Sequence, residues 1–168
     1  MKSLLIFALA FLLTVASLWA ADPRRQTIFI VERSKNANIV QYDVQLGADG
    51  KLDQKNPVVA YWVRLAEEGQ ARKLSWLQRK FVYGFRARLD KASDSVELDM
   101  VAALGRDIHV ARLGKEYRAS TRIENSDSWL DEIFVASSGD GISSRVDYIE
   151  LHGVDKDSGE KRFERILP

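Results

Sequence analysis

The chain has 168 residues, no cysteine, and 25 Lys+Arg against 24 Asp+Glu. Missing thiols exclude disulfides, thiolate zinc sites and cysteine nucleophiles. The charge balance, with no block of like charge, argues against a general nucleic-acid binder, which needs an excess of cations on one face.

Residues 1–20 read as a secretory leader. Lys2 supplies the positive start, Leu4 to Leu13 is an unbroken apolar run, and small residues follow near possible cleavage points after Ser17 or Ala20. The competing reading is a membrane anchor. Its apolar stretch runs from Ser3 to Ala21 with Thr14 and Ser17 inside, which is marginal for a bilayer core of ~30 Å. No Cys follows the run, so no thiol is available for lipid attachment. The expectation is an exported protein of the periplasm or cell envelope, with one β-rich domain over 21–168, long enough to bury a core.

From residue 27 onward the dominant signal is period-two alternation, the mark of a strand with one apolar face. Residues 27–33 (TIFIVER) form the first such run. In 39–46, Val40, Tyr42, Val44 and Leu46 fall on one side and Gln41, Asp43 and Gln45 on the other. Residues 58–65 (VVAYWVRL) are apolar on both faces, which predicts a central strand. Between the last two runs, Asp49-Gly50 is a strong turn dipeptide.

One helix is predicted. Ser75 stands three before Gln78 as in a capping box, Leu74, Leu77 and Phe81 recur at helical spacing, and Gly84 can close it. So short a helix must lean on the sheet. Runs 83–89 and 96–101 predict a hairpin with Arg88 opposite Glu97 and Arg86 opposite Asp99. Further strands are expected at 108–113, 117–124, 129–136, 145–152 and 161–167, separated by Gly- and Asn-containing turns. Short strands at this spacing predict a mainly β fold, an antiparallel barrel or sandwich of about eight to ten strands, closed or nearly closed, with one short helix. An outer-membrane barrel fits less well. Several runs are shorter than the ~9–11 residues such strands need, and their apolar faces are broken by charge.

Sequence chemistry is sparse. His109 and His152 lie singly in strands, with no HxH or HExxH pattern, and G-x-S-x-G and phosphate-cradling motifs are missing. Residues 137–144 read as a glycine-rich hairpin loop. Residues 155–160 (DKDSGE) space oxygens as calcium would want, but they also have what a hairpin turn requires. No metal or cofactor is expected. Aromatic and cationic residues concentrate at Tyr61, Trp62, Arg64, Trp76, Gln78, Arg79 and Tyr83, a set that can line a pocket for a small molecule or glycan or serve as core. Near the start of the domain, Ser34, Asn36 and Asn38 are good turn formers, and a plain turn needs fewer amides. The candidate ligand residues are therefore Arg33, Asn36, Asn38, Arg64, Trp76, Gln78 and Tyr83, in a non-enzymatic binding domain. Two alternatives are a glycan-active enzyme using Glu32 with Glu67 or Glu68, and a structural or protein-interaction module.

Three segments in order, RSKNANIVQYDVQL, NPVVAYWVRLAEEGQ and LSWLQRKFVYGF, resemble the bacterial domain of unknown function 4833 family. The likeness is strongest over 28–85, and Val82-Tyr83-Gly84 stands where the family pattern has A-Y-G. The resemblance implies an exported bacterial protein of one domain. It carries over no reaction, cofactor or catalytic residue.

Overall fold

Alternating apolar residues build nearly all of the structure, a computed structural model describing residues 22–34, 36–101, 105–139 and 145–168. The expected leader, and residues 140–144 of the expected loop, lie outside these. Eleven strands are found among the described residues: β1 (Arg25–Arg33), β2 (Asn36–Gln45), β3 (Val58–Arg64), β4 (Gln70–Lys73), β5 (Phe85–Asp90), β6 (Ser95–Met100), β7 (Asp107–Leu113), β8 (Glu116–Ile123), β9 (Ser126–Ser138), β10 (Arg145–Asp155) and β11 (Lys161–Ile166). The helix α1 (Trp76–Phe81) lies between β4 and β5.

The strands form one sheet in the order β4-β3-β2-β1-β9-β8-β7-β6-β5, with β10 along the other edge of β9 and β11 beyond it. Strand β9 serves two partners in succession. Residues 126–129 pair antiparallel with β8, and residues 132–135 pair parallel with β1. The sheet folds over on itself there, bringing two layers face to face. Val40 and Tyr42 of β2, Leu98 of β6, Val110 of β7 and Leu151 of β10 join one core. Tyr42 touches Phe85 across the layers at 5.9 Å between ring centroids. Each such fully buried side chain contributes ~1.5–3 kcal/mol.

The mainly β sandwich expectation therefore holds, with corrections. The sheet does not close into a barrel, since β4 and β5 end the path and β11 is a third free edge. It is mixed rather than wholly antiparallel, because of the β1–β9 pair. The strand beyond the expected number is β4, whose Gln-Ala-Arg-Lys is exposed throughout and carries no apolar pattern. Strand β3 stands next to that edge instead of at the centre. Its outward Tyr61 donates to the buried carboxylate of Asp43 at 2.5 Å, so both faces are occupied without a central position. The predicted β5–β6 register is found, with Arg88 opposite Glu97 and Arg86 opposite Asp99. All three free edges carry Lys or Arg, which discourages further strand addition.

Candidate functional site: the recess beside Tyr83

Local rules deliver Tyr83 to its place. The Ser75 hydroxyl accepts from the Gln78 amide at 3.2 Å, and the Gln78 side chain accepts from the Ser75 amide at 2.8 Å, closing the capping box. After α1 the chain turns back at Gly84 so tightly that a β-carbon there would lie 1.7 Å from the Arg79 carbonyl oxygen. Only glycine fits. Tyr83 then enters the core, its ring edge-on to Trp62 at 5.1 Å and its carbonyl accepting from the Tyr42 hydroxyl at 2.8 Å. Burial pushes the Tyr83 hydroxyl pKa up, and the charge and hydrogen bond of Arg33 pull it partly back.

A recess of about 110 Å³ opens beside this ring, with Arg33, Phe81, Val135, Val146 and Ile149 among its walls. Across Tyr83 lies a more open groove of about 320 Å³, flanked by Val58, Leu74, Arg79 and Gly84. Among the described residues lining the smaller recess, the polar side chains are Arg33 and Tyr83. One is a permanent cation and the other a phenol held neutral by burial, so neither serves as a base near neutral pH. Apolar walls with a guanidinium suit a ligand that is part hydrocarbon and part anion.

Of the candidate residues, Arg33 and Tyr83 meet at this recess. The others serve local structure or the surface. Asn36 and Asn38 belong to the tight β1–β2 connection, where the Asn36 side chain accepts from the Asn38 amide at 3.0 Å. The neighbouring Ser34 hydroxyl accepts from the Ser137 amide at 3.1 Å, stapling that turn to β9. Arg64 pairs with Glu67 at 2.5 Å, Gln78 is committed to the cap, and Trp76 stands exposed on α1.

The carboxylates of the glycan-enzyme alternative are also placed. Glu67 is bound by Arg64 and, at 3.5 Å, by Arg72. Glu68 is exposed with a left-handed backbone, φ 55°. Glu32 shares an outer sheet face with Glu132 and Glu150, which sequence reasoning missed. Burial raises the Glu132 carboxyl pKa first, then the charge of Glu32, while His152 opposes them. Glu150 is held by Arg165 at 2.5 Å. Register reasoning of the kind that paired Arg88 with Glu97, applied to the β9–β10 hairpin, brings Glu132 beside His152 and near Glu150, while Glu32 joins them only through the parallel β1–β9 pair. At the β10–β11 turn, the Asp155 carboxylate accepts from the Asp157 and Ser158 amides at 3.0 and 2.8 Å and from the Ser158 hydroxyl at 3.0 Å. Those oxygens make the turn.

Searches of curated proteins and of solved structures returned no match. A family model, domain of unknown function (DUF4833), matches residues 29–165. That span runs from the first strand to the last, so it takes in both layers and every wall of the recess but the terminal Pro168, and the chain belongs to the DUF4833 family.

Proposed function

We propose that the chain is an exported, non-enzymatic binding domain of the cell envelope, and that its ligand site is the recess beside Tyr83. The observation that carries the reading is one apolar recess, at the joint of β1, β9, β10 and the α1–β5 turn, with a guanidinium in its wall. Export rests on the leader pattern of residues 1–20. The ligand class follows from the lining: a carboxylate or phosphate carried on a short hydrocarbon or aromatic group.

The test is a thermal-shift panel of small amphipathic anions, with uncharged analogues beside them. At a hundredfold excess over Kd a ligand adds about 2.7 kcal/mol, a rise in Tm of several degrees. Val146→Trp fills the recess from its partly exposed rim and should abolish the shift. Arg33→Gln should weaken binding about tenfold or more by removing a charge-assisted hydrogen bond. A shift untouched by both variants, or no shift across the panel, overturns the assignment.

A further inference from the structure

Helix α1 presents three large apolar side chains to solvent. Trp76, Leu77 and Phe81 are 61%, 60% and 61% exposed, on a helix of six residues. They are not scattered. Trp76 and Phe81 stand edge to face at 6.3 Å, and the Lys80 ammonium sits 4.8 Å from the Trp76 ring and 5.2 Å from that of Phe81.

The charge along this stretch of the chain is one-sided. Residues 69–89 hold Arg72, Lys73, Arg79, Lys80, Arg86 and Arg88 and no carboxylate, in a chain that is balanced as a whole at 25 Lys+Arg against 24 Asp+Glu. Arg72 is matched by Glu67 and Arg88 by Glu97. Among the described residues, no carboxylate pairs with Lys73, Arg79 or Lys80.

We infer that the α1 tip docks on an anionic lipid surface, with Trp76, Leu77 and Phe81 entering the interface and Lys73, Arg79 and Lys80 meeting the headgroups. Charge complementarity and hydrocarbon are both needed to identify the occupant. A soluble polyanion would use the cations and leave Leu77 and Phe81 in water. A zwitterionic surface would use the rings and leave the cations unmatched. Aromatic rings beside cations on one short projection satisfy both layers of an anionic membrane face. The inference stands whether or not the recess takes a ligand.

The experiment uses the full chain with vesicles of phosphatidylcholine alone or mixed in equal parts with phosphatidylglycerol, each with and without brominated acyl chains. Bromine quenches a tryptophan that enters the interface. The expected result is a quenched component on the anionic vesicles that disappears in Trp76→Phe, leaving any signal from the other tryptophans unchanged. Arg79→Glu with Lys80→Glu should weaken that component about tenfold or more, as should raised salt. Identical quenching in the parent and Trp76→Phe overturns the inference. Equal quenching on the zwitterionic vesicles overturns the role of the cations. A concentration-dependent blue shift of Trp76 without lipid, and no quenching with it, assigns the face to a second copy and overturns the lipid reading.

Discussion

Strand β10 runs between two unlike ends. At one end Val146 borders the recess near Phe81 and Tyr83. At the other, Asp155 closes a turn in which the polar groups answer one another. Each region has a tryptophan under a lysine: Lys156 lies 4.7 Å from Trp129, and Lys80 lies 4.8 Å from Trp76. The ring–cation distances differ by only 0.1 Å, yet Trp129 is half-buried within β9 while Trp76 stands clear of the sheet. A cation over a ring therefore does not identify a binding surface. What separates the two is whether the strand beneath has already covered the ring.

If that contrast is right, damage at the Asp155 end should cost stability, and damage at the α1 tip should not. The largest effect is expected from Gly153→Ala. A β-carbon there would sit 2.1 Å from the Trp129 carbonyl oxygen and 2.8 Å from the Ile123 side chain. The backbone must shift, at a cost of about 3 kcal/mol or more, measured by urea unfolding. Tyr42→Phe should come next. It removes the buried hydroxyl that donates to the Tyr83 carbonyl, leaving that acceptor unmatched at about 1–3 kcal/mol. Because Tyr83 walls the recess, the same variant should also weaken any ligand found there.

Asp155 offers a sharper probe through pH. Its carboxyl is held down to about 2, from an ordinary 3.8, by hydrogen bonds from Ser158 and Asp157. A depressed folded-state pKa stabilises fully above the unfolded value and loses that contribution as pH falls from about 4 through 2. The urea midpoint of the parent should drop over that window relative to Asp155→Asn. Parallel profiles would remove the carboxylate from the account of this end. The smallest effect is expected from Trp76→Ser with Leu77→Ser, within ~0.5 kcal/mol of the parent in the same unfolding assay, since both side chains are exposed. A loss of several kcal/mol would mean that the tip is core after all.

These contrasts also explain what could be read from the residues alone. Alternation found every strand with an apolar face, pairing of opposite charges found the β5–β6 register, and Ser75 with Gln78 announced the cap. Strand β4 escaped because Gln-Ala-Arg-Lys buries nothing and takes its place through its bonds to β3. The open sheet escaped because closure depends on how β9 divides itself between β8 and β1, which no local pattern encodes. Leu77 and Phe81 have the spacing of a buried stripe, yet it is Leu74, just ahead of the helix, that reaches the core. Arg33 and Tyr83 were each visible as candidates. Their recess was not, since Val135, Val146 and Ile149 reach it from strands far along the chain. The cations of 69–89 were in view but scattered, and the exposure of the α1 side chains beside Lys80 was not.

The parallel joint of β1 to β9 has a consequence for the order in which the protein can be made. Ser34 and Ser137, which bond across it, are 103 residues apart. At ~5–20 residues per second, a ribosome needs on the order of 5–20 s to supply the second after the first. Through that interval β1 and β2 can form a hairpin, but Ile28, Phe29 and Val31 lack most of the core that buries them. A stable sheet must wait for the last third of the chain, so the N-terminal part stays incompletely folded while synthesis continues.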